Sequence, residues 1–109
     1  DMAALMTAAT GWKYTAADIQ AIGQKRVNLM RAYNAREGLT REQDTLPKKL
    51  FKKALSGGRS DGIAIDEAEL QAGLDMYFEQ AGWNIETGVP SRKTLETLGL
   101  AWVADGLEK

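Results

Sequence analysis

The segment "TAADIQAIGQKRVNLMRAYNAREG", residues 15–38, constrains the fold most because it carries the signals for both ends of one long helix. Thr15 is suited to the N-cap, and Asp18 stands where it completes a capping box with Thr15. Gly38 supplies the left-handed residue that commonly ends a helix. The sequence therefore predicts a helix over residues 16–37.

One side of this helix collects large apolar side chains, which we expect to be buried. This predicted stripe consists of Ile19, Ile22, Leu29, Met30 and Tyr33. Arg26 falls in the middle of the stripe, where a simple amphipathic helix carries no charge. Two interpretations stay open. Arg26 extends to solvent or pairs with a carboxylate in the core, or it reaches a neighbouring domain or ligand.

Cap and stop residues elsewhere in the chain predict further, shorter helices. Asp1 precedes a helix over residues 2–9, and Asp66 with Glu69 forms a predicted capping box for a helix over residues 67–81. Other short helices are expected at residues 47–56, at residues 92–98 and from residue 101 onward. The pattern predicts an all-α fold, a single small domain of about five helices over all 109 residues, with one efficiently packed core.

The chain contains neither cysteine nor histidine, which removes most of the side chains that ligate metals or perform catalysis. It offers no disulfide, no cysteine nucleophile, no thiolate for an iron-sulfur cluster and no histidine acid or base. We therefore expect no catalytic, cofactor-binding or metal-binding residue in this chain.

The net charge of −1 is unevenly distributed. Residues 1–54 contain ten basic and five acidic side chains, whereas residues 55–109 contain four basic and ten acidic ones. Either the two halves attract each other or each faces a different neighbour. No segment has the apolar length of a membrane span or the pattern of a signal peptide. We expect a soluble, cytoplasmic chain with no nucleic-acid and no membrane partner.

A dense run of alternating charges, residues 34–55, follows the predicted long helix. Its carboxylates are Glu37, Glu42 and Asp44. They stand among arginines, so ion pairing explains them better than acid-base catalysis does. Asp44 is placed to hold a turn by pairing with Arg36 or Arg41. A bond from Asp44 to the backbone ahead of Pro47 is the other possibility.

Two runs, "GWKYTAADIQAIGQKRVNLMRAYNAREGLTREQDTLPKKLF" at residues 11–51 and "GWNIETGVPSRKTLETLGL" at residues 82–100, carry a specific pattern. The matching positions in the first run are residues 11–14, 22–23, a basic residue at 25 or 26, residues 28–29, 31, 33–34, 36–38, 41, 44, 46–47 and 49. In order and spacing, both runs resemble the C-terminal region of the tungsten-containing aldehyde ferredoxin oxidoreductases.

This resemblance implies an oxidoreductase that converts an aldehyde to a carboxylic acid and passes electrons through one 4Fe-4S cluster to ferredoxin. It also implies tungsten, or molybdenum, held by two pterin dithiolenes of molybdopterin type. In that family the cluster cysteines and the pterin-binding carboxylates lie upstream of the matched region, and no position here corresponds to them. The chain would then be a C-terminal fragment of a larger enzyme, packed against upstream domains of the same polypeptide and inactive alone.

Five charged residues become candidates for the turn and for its contact with the rest of such an enzyme. They are Arg26, Arg36, Glu37, Arg41 and Asp44. Two other functions compete with the enzyme hypothesis. One is a free-standing helical interaction module without activity, and the other is a nucleic-acid binder that uses the lysines at positions 48, 49, 52 and 53.

Overall fold

The computed structural model describes residues 1–108, and Lys109 lies outside the described residues. The α-helices are α1 (Met2–Thr10), α2 (Ala16–Arg36), α3 (Lys49–Lys52), α4 (Glu67–Ala81), α5 (Arg92–Thr97) and α6 (Ala101–Leu107). Single 3₁₀ turns occupy Arg41–Gln43 and Gly58–Ser60. Residues 1–108 contain no strand, and Trp83 and Pro90 form an isolated β-bridge. The all-α prediction is confirmed, with six α-helices instead of about five.

The long helix begins and ends as its sequence predicts. Thr15 Oγ1 accepts a hydrogen bond from the Asp18 N–H at 3.2 Å, and Asp18 Oδ2 accepts from the Thr15 N–H at 2.8 Å. Gly38 takes a φ of 92° directly after the helix end, in the left-handed region. The hydrogen bond from the Thr15 backbone lowers the pKa of the Asp18 carboxyl below its usual value of 3.8.

We expect the capping box of α2 to be lost in acid. Because the pKa of Asp18 is lower in the folded chain, its contribution to stability is fully present above 3.8 and disappears as the pH falls through the folded value. The NMR shift of the Thr15 amide should therefore titrate below about pH 4. In Asp18→Asn this titration should be absent. A Thr15 amide that does not change in acid in the unmodified chain would contradict the prediction.

The main hydrophobic core lies where α2, α5 and α6 meet. Its buried residues are Ala32, Leu95, Leu100, Val103 and Ala104. The small Ala32 side chain, only 1% exposed, allows the C-terminal helices to approach α2 closely. Leu98 and Leu107 pack against this cluster from the rim.

An exposed ion-pair group joins α5 to the end of α6. Arg92 pairs with Glu96 at 3.3 Å, with Asp105 at 3.0 Å and with Glu108 at 2.6 Å. The hydrogen bond from the Arg92 guanidinium holds the pKa of the Glu108 carboxyl below its usual value. The pairs with Asp105 and Glu108 hold α6 against α5. Ala32 packs against the core residues of these two helices.

The predicted apolar stripe of α2 is not the buried face of this helix, and that prediction is wrong for the described chain. Its members Ile22, Leu29, Met30 and Tyr33 are exposed, and Ile19 is half-buried. The buried face lies on the opposite side of the helix and contains Asn28 and Ala32, with Arg31 half-buried beside them. The helix thus buries a small and polar side and turns its large apolar side outward.

Two local predictions need correction as well. The third helix is a single turn, Lys49–Lys52, because Lys53 takes an extended conformation and the Leu55 N–H then donates to Ile63 O at 2.9 Å. At the start of α4, Asp66 accepts from the Glu69 N–H at 3.0 Å. The return bond from the Glu69 side chain is missing, so Asp66 caps the helix alone.

The chain forms a thin layer of 49 × 41 × 21 Å. Its radius of gyration is 18.1 Å, whereas a compact domain of this length has about 13 Å. One buried cluster forms between α2, α5 and α6, as expected, but residues 1–108 do not reach the efficient packing that the sequence predicts. Trp12 and Trp102 are 69% and 67% exposed. None of the helices in this part of the chain is long and apolar enough to cross a membrane.

Candidate functional site

A cluster of charged and aromatic side chains fills the place where α2, the segment after it, α4 and the loop of residues 83–90 meet. We call it the arginine junction and define it as Arg31, Arg41, Asp44, Phe78, Trp83 and Gly88. Both arginines contact the ring of Phe78, which is 2% exposed. The junction connects two regions that are distant in sequence, α2 with the segment after it and α4 with the loop that follows it.

Arg31 uses three of its N–H groups in this junction. Its Nε donates to the Gly88 carbonyl at 2.8 Å, and its Nη1 donates to Asp44 Oδ1 at 2.7 Å. Nη2 makes a second, short bond to Asp44 Oδ2, so the carboxylate is bound in a bidentate manner. The side chain of Arg31 is 11% exposed and that of Asp44 is 22% exposed. Bidentate arginine-carboxylate pairs of this kind fix orientation and are stronger than neutral hydrogen bonds.

Two aromatic rings lie against the same guanidinium. The Arg31 Cζ is 5.4 Å from the centroid of Phe78 and 5.0 Å from that of Trp83. The two ring centroids are 5.6 Å apart. Cation–π contacts gain strength when they are removed from water. Arg31 is therefore held by hydrogen bonds to Asp44 and by cation–π contacts with the two rings.

Trp83 is itself fixed by α2. Its Nε1 donates to Asn28 Oδ1 at 2.8 Å, in a buried hydrogen bond across 55 residues of sequence. The Asn28 Nδ2 donates to the Gln24 carbonyl at 2.9 Å within the helix. Asn28 thus satisfies the polar group of a buried indole and explains why α2 buries a polar residue.

Replacing this indole tests the buried bond. Trp83→Phe is expected to lower the free energy of unfolding by about 1–3 kcal/mol, because Asn28 Oδ1 is left buried without its donor. Trp102→Phe is the matched control and should change stability by less than about 0.5 kcal/mol, since Trp102 is exposed. Urea unfolding followed by circular dichroism measures both. Equal effects of the two changes would contradict the assigned role of Trp83.

Arg41 forms the second connection of the junction. Its Nη1 pairs with Asp75 at 2.5 Å and donates to the Ile85 carbonyl at 2.6 Å, and its Nη2 donates to Gln71 Oε1 at 3.0 Å. The guanidinium lies 5.3 Å from the centroid of Phe78. The Arg41–Asp75 pair joins the basic half of the chain to the acidic half, whereas the other ion pairs of residues 1–108 lie within one half, so attraction between the halves and contact with different neighbours both stay open.

Asp44 has a different partner from the one predicted. It pairs with Arg31, not with Arg36 or Arg41, and no bond from Asp44 to the backbone ahead of Pro47 occurs in the described chain. The reason is helical geometry. Arg36 follows Arg31 by five residues, which turns its side chain by roughly 140° around the helix and away from the junction. Arg41 instead bonds to Asp75 and Gln71 of α4.

The other predicted residues lie outside the junction. Arg36 and Glu37 form an exposed pair at 3.0 Å, and the Arg36 guanidinium also lies 5.0 Å from the ring centroid of Tyr33. Arg26 is exposed, and within residues 1–108 it forms no ion pair. Of the alternatives for Arg26, pairing with a core carboxylate does not occur in the described chain, extension to solvent agrees with its exposure, and contact with a neighbouring domain or ligand stays a prediction. An exposed pair such as Arg36–Glu37 contributes little to stability.

Sequence reasoning missed Arg31, which contacts Asp44, Phe78, Trp83 and Gly88 within the junction. The available signal was its position on the helix. Asn28, Arg31, Ala32 and Ala35 share one side of α2, and they combine polar groups with small ones. That combination fits a face packed closely around hydrogen bonds. The larger apolar residues on the opposite side led to the prediction that the opposite side is buried.

Two open grooves flank the junction. One, of about 850 Å³, runs past Arg41 and Asp44 to α3 and the start of α4. It contains lysines and carboxylates together, including Lys48, Lys52 and Glu67. The other, of about 880 Å³, lies between α2 and α5 and is mainly apolar in its lining around Val27 and Trp83. Neither gathers the aligned set of groups that acid-base catalysis requires.

The residues of this chain do not fit a metal centre of the expected kind. The chain supplies no cysteine thiolate, and in the part that the structure describes no three carboxylates come together as metal ligands. What the junction can do chemically is hold segments in place, because its charged groups are already bound to one another. We derive no reaction step through a metal or cluster in this chain.

Most of the chain is similar to proteins of one family. The family model described as aldehyde ferredoxin oxidoreductase, domains 2 and 3, matches residues 1–100. The tungsten-containing aldehyde ferredoxin oxidoreductase of Pyrococcus furiosus is 34% identical over 98 residues, which is 89% of this chain and 16% of the relative. Its counterpart in Thermococcus kodakarensis is 31% identical over 98 residues, with the same coverage of each protein. The chain thus spans about one sixth of these curated relatives, and it belongs to the aldehyde ferredoxin oxidoreductase family.

Proposed function

We propose that this chain is the helical C-terminal part of an oxidoreductase that oxidises aldehydes to carboxylic acids. In this proposal the parent enzyme works in the cytoplasm with tungsten on a pterin cofactor and one 4Fe-4S cluster. It passes its electrons to ferredoxin. The chain packs against the domains that carry the cofactors and has no activity alone. Support comes from the family match and from the tungsten-containing relatives.

The family match carries the enzymatic part of the proposal, and the outward apolar side of α2 supports the part in which the chain packs against other domains. Ile22, Met30 and Tyr33 are more than half exposed on a helix that is well capped at its N-terminus and buries only Asn28 and Ala32 in the described chain. Such a surface is typical of one that another protein segment covers. The match covers 16% of the Pyrococcus furiosus relative, and in this proposal the remainder of a similarly long polypeptide supplies the covering segment.

In this function the arginine junction is a structural element. Arg31 holds the end of α2 to Asp44 and to the Gly88 loop, and Arg41 holds the same region to α4 through Asp75. The effect is to fix the orientation of α2 relative to α4. The tungsten cofactor, when bound by the parent enzyme, would supply the redox chemistry. This chain would contribute a rigid surface that packs against the cofactor-bearing domains.

The test uses the intact polypeptide that carries these residues. It should reduce an acceptor dye or ferredoxin when an aldehyde is added under anaerobic conditions, with formation of the matching carboxylic acid. Elemental analysis should find tungsten bound to the protein. Molybdenum in its place would correct the metal assignment but leave the reaction unchanged.

The opposite outcome is also defined. A native polypeptide that begins close to residue 1, shows no aldehyde-dependent reduction and binds no tungsten would contradict the proposal. It would favour a free-standing helical module that uses its apolar surface to bind another protein.

A further inference from the structure

The outward side of α2 forms a continuous surface, which we call the outer stripe and define as Ile22, Arg26, Leu29, Met30 and Tyr33. Its apolar members are between 37% and 57% exposed. At 100° per residue they fall within roughly 100° of the helix circumference, opposite the face that contains Asn28 and Ala32. In the described chain the helix therefore has one covered face and one uncovered apolar face.

Exposure of single apolar side chains is ordinary, but a stripe of four on one helix face is not. The contrast within α2 strengthens this point. Its inner face is covered although it consists largely of alanine, asparagine and arginine, whereas its outer face has the larger apolar side chains. A helix of this composition gains more from covering its outer face than its inner one.

Arg26 specifies the chemistry of the covering surface. It lies at the middle of the outer stripe, is exposed and has no ion-pair partner among residues 1–108. If an apolar surface covers the stripe, the guanidinium of Arg26 leaves water. An unpaired charge in such a position is costly, whereas a carboxylate opposite it satisfies the charge and fixes the register of the contact.

A second copy of this chain is a poor occupant. Arg26 is the central residue of the stretch from Ile19 to Tyr33. Two copies related by a twofold axis that pair this stripe symmetrically would bring the two Arg26 side chains together. Like charges facing each other in a desolvated contact oppose association.

The remainder of the parent polypeptide is the better occupant. The family match covers domains 2 and 3, and the chain spans 16% of the Pyrococcus furiosus relative, so a large part of such a protein lies outside it. We propose that the outer stripe docks intramolecularly on an apolar surface of the rest of the polypeptide, with a carboxylate of that surface paired to Arg26. This inference rests on the proposed function, in which the chain is part of a longer enzyme.

Site-specific crosslinking in the intact polypeptide tests this directly. The photocrosslinker p-benzoylphenylalanine is placed at position 33 in exchange for Tyr33, and at position 53 in exchange for the exposed Lys53 as a control. Illumination should join position 33 to a segment upstream of residue 1 within the same molecule, as identified by mass spectrometry. Position 53 should give no such product. A dimer crosslinked through position 33, or no crosslink there, would overturn the proposal.

A charge reversal tests the role of Arg26. Arg26→Glu should lower the yield of the intramolecular crosslink about tenfold, because two carboxylates would then face each other. Lys25→Glu makes the same charge change at an exposed neighbour outside the stripe and should lower the yield less than twofold, as expected for an exposed charge. Replacing the facing carboxylate, located by the crosslink, with lysine should restore the yield in Arg26→Glu. Equal yields for the two glutamate variants would overturn the pairing.

The docking of the outer stripe and the proposed function can be refuted separately. A polypeptide that oxidises aldehydes while position 33 gives no crosslink refutes the docking of the outer stripe alone. A polypeptide that forms the upstream crosslink but contains no tungsten and oxidises no aldehyde refutes the enzymatic proposal alone.

Discussion

Arg31→Ala is expected to lower the free energy of unfolding of this chain by about 3 kcal/mol. The change removes a bidentate pair with Asp44, a hydrogen bond to the Gly88 carbonyl and two cation–π contacts. Breaking a buried pair from one side costs about 3–5 kcal/mol, and the partial exposure of Asp44 places this case at the lower end. Urea unfolding followed by circular dichroism measures the loss.

Arg36→Ala is the matched control on the same helix. Arg36 also pairs with a carboxylate and lies against an aromatic ring, but both contacts are exposed. Its replacement should change the free energy of unfolding by less than about 0.5 kcal/mol. Losses of similar size in Arg31→Ala and Arg36→Ala would contradict the central role assigned to Arg31.

Gly88→Ala is the second change with a large expected effect, about 3 kcal/mol. Gly88 has a φ of 71°, where an L side chain costs about 1–2 kcal/mol. In addition, an added Cβ would overlap Arg31 Nη2 and lie 3.3 Å from Phe78 Cε2. A free arginine would move aside at little cost. Arg31 cannot do so without giving up Asp44 and the Gly88 carbonyl, so the substitution breaks the junction as well.

A comparison with Gly62→Ala separates the cost of the backbone conformation from the cost of the overlap with Arg31. Gly62 has a φ of 75° but nothing within 4 Å of an added Cβ, so its replacement should cost only the backbone term of about 1–2 kcal/mol. In the Arg31→Ala background, Gly88→Ala should cost no more than this, because the overlap is gone. Additive losses in the double variant would show that Gly88 and Arg31 do not act through a common contact.

The sequence predicted those parts of the fold that depend on neighbouring residues. The caps at Asp1 and Thr15 and the stop at Gly38 are local hydrogen-bond and backbone preferences, and the structure confirms each of them. Helix α3 came out shorter than predicted because contacts with Ile63 and Ile65 direct the chain into a turn. Those contacts form only after the chain has folded back.

The candidate site was harder to predict because it depends on which side of α2 faces inward. Hydrophobic periodicity predicts one buried stripe per helix, and on α2 it indicated the side with Met30 and Tyr33. In the described chain the opposite side is inside, since Arg31 and Asn28 find buried partners at Asp44 and Trp83. If the rest of the polypeptide covers the outer stripe, periodicity identified a real contact face but not the surface that covers it.

The five charged residues predicted as candidates divide into two groups. Arg41 and Asp44 belong to the arginine junction, where they connect segments within the chain. Arg26, Arg36 and Glu37 are exposed. Contact of these three with the rest of an enzyme stays a prediction, and the crosslinking experiment tests it at Arg26.

The central claim is that these residues form a structural part of an aldehyde-oxidising enzyme. Its most direct test is the rate of aldehyde-dependent ferredoxin reduction, compared between the intact polypeptide and the same polypeptide without residues 1–109. We predict measurable turnover for the intact protein, and neither turnover nor stable tungsten binding for the shortened one. A shortened protein that keeps the full rate, or an intact protein that oxidises no aldehyde, would contradict the claim.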